Sequence, residues 1–181
     1  MRNRYSLSEL VKTTYSLALT KILFSNARLI RRPIYIRGRS SIVGANGLTT
    51  GRLCRFDLDG HKKTLYIGDN CEIGDYVHIV ALNRVQIGDN LLAASKVFIS
   101  DTSHGNYKGV NISDHDSPPN SRDLVKGETY IGHNVWIGEN SVILAGSKIG
   151  DGCVIGANSV ISKEIPPHSI VVGCNEVVRQ Y

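Results

Sequence analysis

The chain has 181 residues, of which 41% are hydrophobic and 20% charged. That is enough apolar material for one domain with a substantial core, and it excludes general disorder. The formal net charge is +5, but residues 1–39 hold nine Lys and Arg against Glu9 alone, so this segment carries +8 and the remainder −3. A basic start suits nucleic acid, an anionic membrane surface or an anionic substrate. Nucleic acid is set aside, because no recognition motif and no interleaving of basic with aromatic residues follows.

Leu7 to Leu29 places apolar residues at Leu7, Leu10, Val11, Tyr15, Leu19, Ile22 and Leu23, intervals that suit an amphipathic helix. Ser6 and Glu9 form a capping box at its start, and Pro33 closes the region. The expectation is a basic helical cap over residues 1–33, packed on the end of the domain that fills 34–181. The alternative is that the same helix also rests on a membrane surface. No apolar run reaches the ~18 residues of a membrane span, and the first segment is too polar for a signal peptide, so a cytoplasmic protein is expected. The cysteines, Cys54, Cys71, Cys153 and Cys174, form no CxxC pair and read as reduced core thiols.

Residues 34–58 read as short strands turning at Gly38, Gly44, Gly47 and Gly51, in the manner of irregular early coils. A six-residue repeat follows. Ile67-Gly68-Asp69-Asn70 leads to Ile73-Gly74-Asp75-Tyr76 and Ile79, and after a spacing of eight to Ile87-Gly88-Asp89-Asn90, Ala93 and Ile99. From Ile131 the period is strict, through Ile137, Ile143, Ile149, Ile155 and Ile161, with Val135, Ser141, Ser147, Cys153 and Ser159 four places behind. Six residues make one short strand and a turn, and three such steps close a triangular coil of about 18 residues. A 3.6-residue helix would scatter these Ile positions around its circumference. The fold class is therefore all-β, a parallel β-solenoid. Ile131 should lie over Ile149 and Ile137 over Ile155, with the Gly after each Ile permitting the turn.

Between the two repeat blocks, residues 101–129 cannot continue the coils and should loop out, and such loops usually carry function. His104 stands where the solenoid ends and the loop begins. Its imidazole can take a proton from a hydroxyl or amine, and Asp101 or another nearby carboxylate could fix its tautomer. His115 shares the loop, His78 and His133 fall within repeats, and His61 and His168 lie outside them. Trp136 precedes inward Ile137, so it should point outward, toward a ligand or partner or beneath the loop.

The stretch from Ala94 through Asp101, Thr102, Ser103 and His104 to Gly105 is one part of a pattern. Ile131-Gly132-His133-Asn134-Val135-Trp136-Ile137-Gly138 is a second, and Ser162-Lys163-Glu164-Ile165-Pro166-Pro167 a third. Together they resemble the hexapeptide-repeat acyltransferases, in the branch of bacterial surface-polysaccharide O-acetyltransferases related to maltose and galactoside acetyltransferases. The resemblance runs from about Arg32 to the end. It implies a left-handed coil, a homotrimer with active sites between subunits, and acetyl-CoA as acyl donor with no metal. It implies His104 as general base with Asp101 beside it, and Trp136 and Asn83 at the sugar acceptor. Trp136, Gly138, Ala145, Ala157, Ser162 and Lys163 would contact CoA. Transfer would be direct, without an acyl-enzyme.

The tail departs from the pattern, because Val172-Gly173-Cys174-Asn175-Glu176 lacks the Pro of the usual Val-Gly-Asn-Pro-Ala-Lys, and Arg179 is left as the substitute for its basic residue. Amino-sugar N-acetylation needs the same base and stays open. A zinc-dependent hydratase of the carbonic-anhydrase kind needs three clustered imidazoles, whereas His104 and His115 are eleven residues apart. A purely structural solenoid would want flat outward rows of Thr. The acceptor is expected to be a sugar of a lipopolysaccharide O-antigen, capsule or exopolysaccharide. The basic start points to a lipid-linked form met at the inner face of the membrane.

Overall fold

The computed structural model describes residues 6–107 and 110–181. Arg2 and Arg4 of the basic start lie outside the described residues. Helix α1 runs Leu7–Leu23. Its capping box forms: Ser6 Oγ accepts the Glu9 N–H at 3.3 Å, and the Glu9 carboxylate accepts the Ser6 N–H at 2.9 Å. The helix stops six residues short of Leu29. Phe24 leaves helical geometry while its N–H still reaches Thr20 O, and the Lys21 ammonium donates to the Ala27 carbonyl beyond the end.

The apolar stripe of α1 faces the other way from the expectation. Leu7 is 84% exposed and Ile22 76%, and Leu10, Val11, Tyr15 and Leu23 are exposed as well. The buried positions are Ser16 and Thr20. The cause lies in what they touch. The first strand, Leu29–Ile30, ends a sheet, and an end strand presents unpaired backbone donors. Thr20 Oγ1 accepts the Ile30 N–H at 2.9 Å, and Ser16 Oγ accepts the Arg32 N–H at 3.2 Å. Leucines at those two helix positions would leave both donors buried and unmade.

Among the described residues the strands stack in parallel on three faces. The first face holds Leu29–Ile30, Thr49–Thr50, Glu72–Ile73, Leu92–Ala93, Trp136–Ile137, Val154–Ile155 and Ser169–Val172, closed by antiparallel Glu176–Gln180. The second runs from Tyr35–Arg37 to Val160–Ile161, and the third from Ile42–Gly44 to Glu164–Ile165. The early segment read as irregular thus supplies four strands of the first two regular coils. Ile131 pairs with Ile149, Ile137 with Ile155 and Ile143 with Ile161, and all six side chains are fully buried. Each contributes roughly 1.5–3 kcal/mol of burial.

The turn chemistry sits two residues later than expected. A left-handed residue commonly stands third after an inward Ile: Asn70, Asn90, Asn134, Asn140 and Asn158 with φ between 56° and 60°, and Tyr76, Gly146 and Gly152 in the same place of other repeats. Asn tolerates that conformation better than most side chains. The Gly after Ile answers a different need, close approach of the neighbouring coil. A Cβ at Gly132 would stand 2.3 Å from Asp151 Oδ1 and 2.7 Å from its nitrogen. That same carboxylate accepts the His133 N–H at 2.8 Å, so Gly and Asp act together in locking one coil to the next.

Cys54, Cys71 and Cys153 are buried, and burial raises each thiol, Cys54 to about 11, which keeps them protonated and inert. Cys174 departs from the core reading and is exposed on the final turn. Among the described residues no helix is long and apolar enough to cross a membrane.

Candidate active site

The chain leaves the solenoid at the corner between the second and third faces. Strand Phe98–Ser100 ends at Asp101, and Gly127 returns the chain to strand Glu128–Ile131. The neck is closed by the Gly127 N–H donating to the Asp101 carbonyl at 2.8 Å and by Thr129 Oγ1 donating to the Ser100 carbonyl at 2.8 Å. Asp101 itself is fully buried. Its two carboxylate oxygens accept the N–H groups of Leu82 at 3.0 Å and Asn83 at 2.6 Å. Burial pushes its pKa up, and those backbone donors pull against the rise. Asp101 therefore makes no hydrogen bond to His104, the partner expected from the sequence. Its geometry is that of a corner pin that holds the preceding coil to the loop's root. Asn83 is exposed, and its amide donates to the Gly127 carbonyl at 3.3 Å, so it too borders the neck.

Beyond the neck, Thr102–His104 pairs antiparallel with Leu124–Lys126, and His104 stands opposite Leu124 at the outer end of this hairpin. Its imidazole is exposed and makes no hydrogen bond to a described residue. Its backbone, by contrast, is fixed. The Tyr107 hydroxyl donates to the His104 carbonyl at 2.8 Å and accepts from Arg122 Nη1. Arg122 also donates to the carbonyls of His115 at 2.9 Å and Ser117 at 2.7 Å. Gly105 follows His104 at φ +94°, where a Cβ would stand 2.7 Å from the Tyr107 hydroxyl. Only Gly serves there. Sequence reasoning passed over Tyr107 and Arg122, and no local pattern marks them, since their link is made by the path of the loop.

The hairpin overhangs a groove of about 330 Å³ that runs down the same corner past Ser103, Tyr107 and Lys126 to Ala145 and Ser162. Ser162 is held by the departing tail: Asn175 accepts the Ser162 N–H at 2.8 Å and donates to its Oγ at 2.9 Å. The unusual Gly173-Cys174-Asn175 sequence thus secures the groove's floor. Lys163 is exposed beside it.

The remaining candidates lie elsewhere on the prism. Trp136, 51% exposed, is on the first face, in register with Leu92 and Val154. That face is opposite the corner that carries His104. Gly138 and Ala157 occupy the corner between the first and second faces, where a Cβ at Gly138 would stand 2.5 Å from the Ala157 nitrogen. Arg179 faces Ile170 on the first face, with its guanidinium 4.4 Å from the Tyr181 ring centroid, away from Lys163. One chain therefore brings together Asn83, His104, Ala145, Ser162 and Lys163 along one corner, and Trp136, Gly138, Ala157 and Arg179 around another part of the prism.

Of the other imidazoles, His78 Nε2 lies 3.0 Å from Asp57 Oδ2, and His133 Nδ1 accepts the Asp89 N–H at 3.0 Å. Among the described residues no three His, Cys, Asp or Glu side chains are gathered to hold a metal ion.

Residues 128–163 match the model of the bacterial transferase hexapeptide (six repeats) family. A protein of Escherichia coli bearing the name lipopolysaccharide biosynthesis O-acetyl transferase WbbJ is 37% identical over 183 residues, which span 100% of this chain and 93% of that one. A solved acetyltransferase of Vibrio cholerae, complexed with acetyl coenzyme A, is 25% identical with a TM-score of 0.61, over 79% of this chain and 73% of that one. The N-acyltransferase AntD of Bacillus cereus, in complex with dTDP and 3-hydroxybutyryl-CoA, has a TM-score of 0.73 at 20% identity, over 99% of this chain and 90% of that one.

Proposed function

Since this chain belongs to the hexapeptide-repeat acyltransferases, we propose that it moves an acetyl group from acetyl-CoA to a hydroxyl of a sugar in a bacterial surface polysaccharide. The observation that carries the reading is the corner groove: His104, exposed and bonded to no described residue, stands on a hairpin whose backbone is fixed by Tyr107 and Arg122, and its neighbours Ser103 and Gly105 line the channel that runs down to Ala145 and Ser162. His104 takes the proton of the sugar hydroxyl as that oxygen attacks the thioester carbonyl. The new C–O bond forms, the C–S bond breaks, and the thiolate leaves with the proton from the imidazolium. A backbone N–H would meet the developing oxyanion. Small residues at Ala145 and Ala157 leave room for the pantetheine arm. Lys163 answers the nucleotide phosphates. The relative named for O-acetyl transfer supports oxygen as the acceptor atom. The likeness to the N-acyltransferase speaks for the fold alone.

Trp136 and Ala157 complete this site from a second copy. They face away from His104 within one chain, and a head-to-tail interface that closes after three copies sets one chain's first face and its adjoining corner near the next chain's His104 corner. Trp136→Ala and His104→Ala chains should each be inactive alone. Assembled together they should recover part of the wild-type turnover, because mixed assemblies contain sites with both residues intact. No recovery on mixing, or an active monomer by light scattering, would remove the interfacial site. Tyr107→Phe should lower kcat about 2- to 10-fold through the lost bond to His104, with the KM for acetyl-CoA unchanged. Equal kcat in steady-state kinetics would show that His104 needs no such support.

The outward apolar stripe of α1, with Lys12 and Lys21 on the same helix, supports peripheral contact with the inner membrane and a lipid-linked acceptor. Failure to sediment with anionic vesicles at low salt would remove that contact.

A further inference from the structure

We propose that the groove between α1 and the first two coils binds the phosphate groups through which the acceptor sugar is carried, an inference that rests on the acetyltransferase reading. The groove has a volume of about 580 Å³, and its walls include Lys12, Arg32 and Arg52 together with Tyr15, Ser16 and Pro33. Three cations share one small space. Arg32 is the telling one. Its Nε and Nη2 are shut off from solvent and have no hydrogen-bond partner among the described residues. These two nitrogens form one side of the guanidinium, a pair of parallel donors that matches two oxygens of a phosphate. A charged donor pair buried without acceptors is costly, and it marks a group waiting for an anion.

The nearby carboxylates do not supply that anion. Glu9 lies close enough to attract Arg52 and Lys12, but its carboxylate is engaged by the Ser6 N–H and hydroxyl. Asp75 accepts the backbone N–H of Arg52 at 2.6 Å. The Arg32 backbone is anchored to Ser16 Oγ, so its side chain springs from a fixed root at the groove wall. Three positive groups are more than one carboxylate needs, and they suit a doubly charged phosphate or a diphosphate. Position agrees with chemistry. The groove lies in the first coils, whereas Ala145, Ala157, Ser162 and Lys163, the proposed CoA contacts, lie in the last, so each substrate's phosphates would have their own end of the prism. A diphosphate reaches the site either on a nucleotide or on a lipid, and Tyr15 joins the groove to the outward apolar stripe of α1.

Calorimetric titration of the full-length protein at low salt with inorganic pyrophosphate and with UDP tests this, beside cosedimentation with phosphatidylglycerol and with phosphatidylcholine vesicles. Wild type should bind pyrophosphate, with affinity falling as salt rises. Arg32→Gln should weaken it about 10- to 100-fold, while coenzyme A affinity stays constant. Tighter binding of UDP than of pyrophosphate identifies a nucleotide-borne diphosphate, and phosphatidylglycerol-vesicle binding that Arg32→Gln abolishes, with no binding of UDP, identifies a lipid-borne phosphate. Lys12→Gln and Arg52→Gln, which remove cations whose side chains make no hydrogen bond to a described residue, decide the matter where Arg32→Gln fails to fold. No binding of any of the three anionic probes, or binding indifferent to all three substitutions, overturns the proposal. So does an Arg32→Gln chain that changes only its assembly state. Pyrophosphate binding without any acetyl transfer would instead fault the acetyltransferase reading and leave the groove standing.

Discussion

His104→Ala should lower kcat for acetyl transfer by about 10²- to 10⁴-fold, the range expected when a general base is removed. The fold makes this a clean experiment. The imidazole is exposed and bonded to no described residue, so its loss should change stability by less than about 0.5 kcal/mol. What holds the loop in place is the His104 carbonyl, which alanine retains for the Tyr107 hydroxyl. Coenzyme A affinity should also persist, since the groove walls at Ala145 and Ser162 are untouched. Free-thiol release with a panel of sugars and glycolipids, beside a coenzyme A titration, separates the two effects. Turnover equal to wild type would end the general-base assignment. Loss of coenzyme A binding together with turnover would mean that His104 shapes the donor site instead.

What the sequence discloses about this molecule depends on which forces are local. The spacing of Ile131 to Ile161 encodes the coils directly, because each inward side chain repeats one geometric step and burial admits nothing polar there. The capping box of α1 is equally legible, since Ser6 and Glu9 touch. The orientation of α1 is not. Its apolar spacing fits a buried face, yet the end strand's need for hydrogen-bond acceptors turns Ser16 and Thr20 inward, and that need arises from residues 30 and 32. The turn positions are legible as a pattern, but Gly and Asn exchange explanations. Asn supplies much of the left-handed backbone, with Gly146 and Gly152 doing so in two repeats, and the Gly directly after Ile answers the distance to the next coil, which no single repeat reveals. The loop is hardest to read. Tyr107, Arg122 and His104 lie close along the chain, but nothing in their spacing says that one hydroxyl links the other two. The division of candidate site residues between two parts of the prism follows from the order of the three faces, and that order becomes visible only when the coils are stacked.

Asp101 separates a positional role from a chemical one. Asp101→Ala leaves the N–H groups of Leu82 and Asn83 without their acceptors at a buried corner, and should destabilise the fold by about 2–4 kcal/mol at fixed protein concentration. Exchange of those two amides should quicken. Asp101→Asn keeps the shape but turns the donor NH2 of its amide toward one of the two N–H donors, so it too should be less stable than wild type. The pH dependence carries a definite sign. Burial holds the folded pKa above the unfolded value of about 3.9, so the folded state binds this proton more tightly. Its contribution is complete below that unfolded value and is lost as pH rises through the folded one. The stability gap between wild type and Asp101→Asn, read from urea midpoints, should therefore be widest in acid and narrow as pH rises across that window. Turnover should fall in both variants in step with loosening of the loop's root. If stability and amide exchange stay at wild-type values while kcat collapses, Asp101 acts on the imidazole itself, and the pairing expected from the sequence is restored.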